Sequence, residues 1–227
     1  MTDTAAAWVV IPAFNESAKI GEVVTGVLRA FAHVVVVDDG SGDDTAAQAL
    51  AAGAHVVVHP INLGQGAALQ TGFEFALRQG AQWLVTLDAD GQHDPEDARA
   101  MLAFAREHDL DICLGSRFLG RTEGMTAGRR LLLKAALAFQ TFTSGLRLTD
   151  AHNGLRVLHR RAARRIRLRQ NRMAHASEIV AVIAREKLRY REFPVTIRYT
   201  EYSRSKGQGA LGALNIVVDL LLGRLGK

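Results

Sequence analysis

Short hydrophobic runs alternate along the chain with segments in which apolar residues recur at helical spacing. Runs of mainly apolar residues, with no apolar–polar alternation, predict strands at 8–11, 34–37, 56–58, 83–87 and 111–115. Helical spacing predicts helices at 16–31, 44–52, 65–79, 95–107 and 129–145, and a helix that contains Glu178 to Glu186. Strands of this kind, separated by helices, are typical of a mostly parallel sheet covered on both faces. The predicted fold class is therefore α/β.

The pattern loosens after residue 119. Residues 121–128 are predicted as a glycine-containing loop, and the segment from Tyr190 to Tyr199 as extended. No internal repeat or low-complexity linker appears, so residues 1–208 are expected to form one domain. The tail at 209–227 has apolar residues at helical spacing, interrupted by charged residues. It is expected to form an amphipathic helix that lies in a membrane interface or docks on a partner.

Composition and charge narrow the choice of partners. The 227 residues are 48% hydrophobic and 22% charged, which is ordinary for a globular protein. The single cysteine excludes an internal disulfide and a multi-cysteine zinc site. The net charge of +5 suits an acidic ligand or an anionic membrane, whereas nucleic acid is not expected, because aromatic residues make up only 6% and no binding signature is present.

The predicted location is cytoplasmic and peripheral, on the cytoplasmic face of the membrane. No basic leader precedes the first apolar run, and no run of about 18 apolar residues occurs, so neither a signal peptide nor a spanning helix is expected. The basic run at 159–172 is either a solvated face or a contact with anionic lipid, where each Lys or Arg adds roughly 1 kcal/mol. A homo-oligomer or a membrane-protein partner remains open.

Acidic residues follow two of the predicted strands directly, as Asp38-Asp39 and as Asp88-Ala89-Asp90. Ligands bind at the carboxyl ends of strands in such sheets, so both pairs are expected at one rim. Two carboxylates one residue apart can share a divalent cation, which typically takes substrate phosphates as further ligands, and Gln92 offers a neutral oxygen. The alternatives are that the first pair forms a plain turn and that the second caps the turn before Pro95.

Six motifs in order give the chain a resemblance to a known family. They are IPAFNES at 11–17, VVVVDDGSGDDT at 34–45, NLGQGAALQTGF at 62–73, LDADGQHDPED at 87–97, LGSRF at 114–118 and LTDAHNGLRVL at 148–158. Together they resemble the family 2 inverting glycosyltransferases with a GT-A fold, and most of all the polyprenyl-phosphate branch that includes dolichyl-phosphate mannose synthases. The resemblance implies a Rossmann-like nucleotide-sugar-binding sheet, a GDP- or UDP-sugar donor, Mg²⁺ or Mn²⁺, and a polyprenyl phosphate acceptor.

The resemblance also implies residue roles. The nucleotide-sugar site is expected to contain Pro12, Ala13, Phe14, Glu16, Asp38, Asp39, Gly66, Asp88 and Ala89. The metal ligands are expected to be Asp88, Asp90 and Gln92, and the acceptor phosphate is expected to face Arg117 with Arg129 or Arg130. Gly66 either allows close backbone approach to the nucleotide or only shapes the start of a helix.

A missing motif bears on the chemical class of the acceptor. Many relatives that act on hydroxyl groups carry an acidic base in an E-D motif, which this sequence lacks. A phosphate nucleophile is already ionised and needs no base, so a phosphate acceptor is favoured, although Asp150 or Glu178 remains available as a base. Lys206 suits a contact with the leaving diphosphate, but its loop departs from the branch pattern, with Thr200 and Ser203 where arginine and glycine are expected. The expected catalytic residues are thus Asp90, Arg117, Asp150 and Lys206.

Other functions stay in view. One is transfer to a sugar hydroxyl in O-antigen or cell-surface polysaccharide assembly. Another is a non-catalytic subunit that binds nucleotide sugar or scaffolds a membrane complex. The related nucleotidyltransferase chemistry is disfavoured, because the sequence has no G-x-G-x-R start.

Overall fold

The computed structural model describes residues 4–123, 127–170 and 174–199. The strands in this part of the chain are β1 (Ala7–Ala13), β2 (His33–Asp38), β3 (His55–Val58), β4 (Trp83–Thr86), β5 (Ile112–Glu123), β6 (Arg156–His159) and β7 (Tyr190–Arg198). The helices are α1 (Ile20–Leu28), α2 (Thr45–Ala51), α3 (Gln65–Arg78), α4 (Pro95–Glu107), α5 (Ala127–Ser144), α6 (Arg160–Ala163) and α7 (Ala174–Arg185).

The strands form one sheet in the order β3-β2-β1-β4-β6-β5-β7. Every neighbouring pair is parallel except the two that involve β6, which runs antiparallel to both β4 and β5. The predicted α/β class with a mostly parallel sheet is therefore confirmed.

Two predictions from the sequence need correction. The strand β6 was not predicted, because its four residues follow a polar loop and are too few to show a period. Residues 121–123, predicted as loop, extend β5. The pairing of β5 with β7 shifts register between Ser116 and Arg121, so that the second half of β5 stays hydrogen-bonded although its side chains are largely exposed. The domain boundary at 208 and the tail helix at 209–227 lie outside the described residues.

The core lies on both faces of the sheet, which explains why the strands show no alternation. On β1, Val9 and Ile11 face α1 and α4, while Trp8 and Val10 face α3 and α7. Both sets are buried, and fully burying such a side chain contributes roughly 1.5–3 kcal/mol. Among the described residues, no helix is both long enough and apolar enough to cross a membrane.

The reversed strand β6 determines what reaches the functional rim. Because β6 is antiparallel, its first residue, Arg156, pairs with Thr86 at the end of β4 and with Leu114 on β5. The loop that precedes β6 therefore enters the same rim at which the parallel strands end.

Candidate active site

The first two loops of the rim are joined to each other. The backbone amide of Asp39 donates to the carbonyl of Ala13 at 2.8 Å, and the amide of Asn15 donates to Oγ of Ser41 at 2.9 Å. Pro12 and Ala13 belong to β1, and Phe14, just beyond it, is 44% exposed. The loops of IPAFNES and DDGS thus form one surface, with an aromatic ring open to a ligand.

Asp39 organises the neighbouring loop. Its buried carboxylate accepts from the amides of Leu63 at 2.9 Å and Gly64 at 2.7 Å, and contacts Nδ1 of His59 at 2.7 Å. Gly64 has φ +95°, a conformation that favours glycine, and it caps the start of α3. Asp38 accepts from the amide of Ser41 at 2.8 Å, the turn that the alternative interpretation of DDGS predicted.

Gly66 is explained by packing. A Cβ on this residue would lie 2.1 Å from the carbonyl oxygen of Gln170. Because glycine has no side chain, the basic segment, which is the basic run described above, can cross the start of α3 at Gln170. The same segment is held by Glu178, whose carboxylate accepts from the amides of Arg169 and Gln170 at 2.9 Å each. Glu178, considered above as a base, therefore anchors backbone.

Asp88 sits between two hydrogen-bond donors at the end of β4. Gln65 Nε2 lies 3.1 Å from Oδ1, and His93 Nε2 lies 3.1 Å from Oδ2. Burial alone would raise the pKa of Asp88, but the hydrogen bond from His93 and the nearby charges, including Arg156, outweigh it and lower that pKa. Gly154 lies against this carboxylate: a Cβ there would be 2.1 Å from Oδ2.

The pKa of Asp90 is shifted in the opposite direction. Burial and the negative charge of Asp88 raise the pKa of Asp90 to about 6, and Glu16 adds to the effect. Its carboxylate accepts from the amide of Gln92 at 3.0 Å and from Nε2 of Gln92 at 2.6 Å. Neither acid caps α4, because Asp94 does so by accepting from the amide of Glu96 at 3.0 Å. The alternative that the acids cap the turn before Pro95 holds in part, because Asp90 accepts from the amide of Gln92 in that turn.

The donor atoms at this pair suit a hard divalent cation. Two carboxylates that repel each other, with an amide side chain beside them, supply the oxygen ligands that Mg²⁺ and Mn²⁺ prefer. In the described part of the chain, no group of three or more His, Cys, Asp or Glu residues forms a ready-made metal site. The residues present thus fit a cation whose coordination is completed by substrate oxygens.

Arg117 and Asp150, predicted for separate roles, form a buried ion pair. Nε of Arg117 lies 2.5 Å from Oδ2 of Asp150, and its Nη1 donates to the hydroxyl of Tyr199 at 2.8 Å. Burial opposes the charge of Arg117, but Asp150 and Tyr199 outweigh it and raise its pKa above the ordinary value. Asp150 is thereby engaged as a counter-ion through Oδ2.

Of the other predicted cations, one is exposed, and the side chains of the other two are not part of the described structure. Arg129 and Arg130 belong to the first turn of α5, where Arg130 is exposed and the side chain of Arg129 is not described. Lys206 lies beyond Tyr199 and outside the described residues. Ala89 is buried beside the acid pair.

Sequence reasoning missed several residues that build the rim. Glu192 on β7 accepts from the amides of Thr149 at 2.8 Å and Asp150 at 3.0 Å, and so holds the loop before β6. Gly154 and Arg156 stand in a motif that the sequence singled out, but neither received a role. A glycine two residues before an arginine in that motif was the available signal.

A Rossmann-like sheet with an acid pair at the end of its fourth strand defines a glycosyltransferase of the GT-A type. The described fold matches that of glucosyl-3-phosphoglycerate synthase from Mycobacterium tuberculosis, with a TM-score of 0.72 and 20% identity over 95% of this chain and 78% of the other. The chain belongs to glycosyl transferase family 2, whose family model matches residues 8–167.

Two curated relatives share nearly the whole length of this chain. The chain is 30% identical to the UDP-N-acetylglucosamine–dolichyl-phosphate N-acetylglucosaminyltransferase of Methanococcus voltae, over 97% of this chain and 96% of the relative. It is 31% identical to the undecaprenyl-phosphate mannosyltransferase of Micrococcus luteus, over 89% of this chain and 87% of the relative. Both names describe transfer of a sugar to a polyprenyl phosphate.

Proposed function

We propose that this enzyme transfers a sugar from a nucleotide-sugar donor to a polyprenyl phosphate, with a divalent cation and inversion of the anomeric centre. The observation that carries the proposal is that a group of acids and a group of arginines lie at the same rim. The acids Asp88 and Asp90 are suited to a cation that carries the donor diphosphate, and the buried arginines Arg117 and Arg156 lie on the neighbouring strands β5 and β6.

The donor is proposed to lie across the ends of β1, β2 and β4. Phe14 offers an exposed ring for the base, and Glu16 and Asp39 lie on the loops that would hold the ribose. The remaining walls are assigned to Pro12, Ala13, Asp38 and Ala89, whereas Gly66 is left out because it packs against Gln170. The structural relative from M. tuberculosis was crystallised with Mn²⁺ and UDP-glucose, which supports a nucleotide diphosphate and a metal in this architecture.

Asp88, Asp90 and Gln92 are proposed to hold Mg²⁺ or Mn²⁺. The bound cation supplies positive charge that stabilises the diphosphate as it leaves. Lys206, seven residues beyond Tyr199, is assigned to the same diphosphate as a point charge. Asp88 presents its carboxylate in a fixed orientation, because Gln65 and His93 each hold one of its oxygens.

The acceptor phosphate is proposed to face Arg117, with Arg129 or Arg130 contributing from α5. An ionised phosphate oxygen attacks the anomeric carbon from the side opposite the diphosphate, and no general base is required. A sugar hydroxyl would need a base, and Asp150 is paired through Oδ2 with Arg117. The structure thus supports a phosphate acceptor over a hydroxyl acceptor.

A lipid acceptor requires that the enzyme contact a membrane. We infer that residues 164–169 of the basic segment make this contact on the cytoplasmic face. Arg164, Arg165, Arg167 and Arg169 are exposed, while Ile166 and Leu168 between them are buried. The segment therefore presents one cationic side along α3, suited to anionic headgroups. The tail at 209–227 is proposed as a second contact with the membrane or with a partner.

A thermal-shift panel tests the donor half of the proposal. Nucleoside diphosphates with Mn²⁺ should raise the melting temperature, since a ligand that binds only the folded state stabilises it. D90N should lose the Mn²⁺-dependent part of the shift and lower turnover by about 100-fold or more. D94N is the matched control, because asparagine still caps α4 and the position lies outside the acid pair. Equal shifts in D90N and the wild type would contradict the metal assignment.

An acceptor screen tests the other half. Radiolabelled sugar should become extractable into organic solvent when an isoprenyl phosphate is supplied, and not when a free sugar or oligosaccharide is supplied. Product that stays in the aqueous phase would favour the hydroxyl acceptor instead. Turnover that depends on Asp90 also separates an enzyme from a binding scaffold.

A further inference from the structure

Unpartnered buried polar atoms concentrate in one short segment of the described chain. In that part of the protein, five buried side-chain nitrogens have no hydrogen-bond partner, and three of them belong to His152, Asn153 and Arg156. Buried polar atoms are nearly always satisfied in native proteins, so a cluster of exceptions requires an explanation. Two of the three nitrogens lie in the loop that enters the active-site rim and the third on the first residue of β6, so a ligand that binds at this rim is a natural explanation.

Arg156 is the most costly of the three. It is 3% exposed and lies at the start of β6, between Thr86 and Leu114 on the flanking strands. Its Nη1 is buried and contacts no acceptor within the described ranges. Burial lowers the pKa of Arg156 to about 10, with Asp88 and Asp150 acting in the opposite direction, so the side chain is charged at neutral pH. A buried charge without a direct partner destabilises the folded protein.

The nearby acids do not fill this gap. Asp88 accepts from Gln65 and His93, and Asp150 accepts from Arg117. The ion pair of Arg117 and Asp150 is balanced in charge. A divalent cation on Asp88 and Asp90 would balance those two acids as well. Among these charged groups, Arg156 is then the one that no direct ion pair neutralises, and it lies where the loop before β6 enters the rim.

We propose that Arg156, with His152 and Asn153 beside it, binds a substrate phosphate, and that this phosphate belongs to the lipid acceptor. The inference rests on the proposed function, since it adds these residues to Arg117, which is already proposed to face that acceptor. A planar guanidinium can donate to two phosphate oxygens at once, and the amide of Asn153 adds a neutral donor. The acceptor is favoured over the donor because the cation at Asp88 and Asp90 already serves the donor diphosphate.

His152 fits this role as a neutral donor. Burial lowers the pKa of His152, and the charges of Arg156 and Arg117 act in the same direction against the effect of Asp150. A neutral imidazole carries one N–H. With that proton on Nε2, His152 contributes a hydrogen bond without a second positive charge.

The test compares R156M and R156K with R160M. Arg160 follows the other end of β6, away from the rim, and its Nε is also buried without a partner in the described structure. R160M thus controls for loss of a partly buried arginine. Farnesyl phosphate is the acceptor probe, and a nucleoside diphosphate with Mn²⁺ is the donor probe. For each variant we would measure the melting temperature alone and with each probe, and the KM and kcat for farnesyl phosphate.

R156M is expected to lose the thermal shift with farnesyl phosphate and to raise its KM by about 10- to 100-fold, the range of a lost charge-assisted hydrogen bond. R156K should fall between R156M and the wild type, because it keeps the charge without the two-pronged contact. The donor shift should persist in both, and R160M should bind farnesyl phosphate like the wild type.

Several results would overturn the inference. R156M could lose only melting temperature while both probes still bind, which would make Arg156 purely structural. It could instead lose the donor shift alone, which would move the contact to the donor diphosphate. A wild type that does not bind farnesyl phosphate would also refute it. By contrast, a wild type that binds the probe through Arg156 but transfers no sugar to it would refute the proposed function and leave this binding site standing.

Discussion

Replacing Gly154 by alanine is expected to disable Asp88 without unfolding the protein. The added Cβ would lie 2.1 Å from Oδ2, 2.5 Å from Cγ and 2.6 Å from Oδ1 of Asp88. Ordinary contact needs about 3.5 Å, so the carboxylate has to move by roughly 1 Å or more. Such a move breaks its 3.1 Å hydrogen bonds with Gln65 and His93. A misplacement of this size costs about 100-fold in rate when the displaced group positions the reaction.

The assay is a titration of initial rates with Mn²⁺, together with thermal unfolding. G154A should lower kcat/KM by about 100-fold and raise the Mn²⁺ concentration needed for half-maximal rate. G72A is the matched control, because a Cβ there would lie 2.2 Å from Cγ1 of Val10, a clash of the same severity in the core. Both variants should lose about 1–3 kcal/mol of stability through overpacking, but G72A should keep the Mn²⁺ dependence of the wild type. A G154A enzyme with unchanged rate and metal dependence would refute the reasoning.

Two further variants test contacts at opposite ends of the sheet, Asp111 before β5 and Glu192 beside the loop that enters the rim. Asp111 accepts from the amide of Arg189 at 2.7 Å and pairs with Arg161; burial opposes its ionisation, but these contacts outweigh it and lower its pKa. The stability that these contacts give is present above the unfolded pKa of about 3.9 and is lost as pH falls through the folded pKa. D111N should therefore melt roughly 3–6 °C lower than the wild type at pH 7, and this difference in melting temperature should close below pH of about 4. E192A should leave the amides of Thr149 and Asp150 unpaired, and so lower the free energy of unfolding, measured by urea denaturation, by about 2–3 kcal/mol. It should also reduce kcat. An unchanged kcat would show that the loop before β6 does not contribute to catalysis.

The regular part of the fold could be predicted because its signals are local. Each strand from β1 to β5 carries its own apolar run, and Asp39 and Asp88 follow such runs directly, so the positions of these acids near one rim followed from sheet topology. The strand β6 could not be predicted. Its four residues form a strand because β4 and β5 pair with them on both sides, and no local pattern records that.

The detailed roles of site residues also depend on distant contacts. Arg117 pairs with a residue 33 positions away, and Thr149 is held by a glutamate 43 positions away. The sequence marks Gly154 only as a turn residue, but its tight contact with Asp88 joins the loop before β6 to the end of β4. A single sequence lists these residues without recording which of them touch.

The reversal of β6 gives the rim a property that parallel strands alone would not supply. Each parallel strand delivers its functional residues on the loop that follows it, as Asp39 and Asp88 show. A residue on such a loop can move with it. Arg156 instead belongs to a strand that is paired on both sides, so its backbone is fixed by β4 and β5. A buried cation without a direct partner is stable only where the surrounding structure holds it in place. The antiparallel strand therefore explains how the fold can keep an arginine without a direct ion pair beside Asp88 and Asp90, where the proposed phosphate would bind.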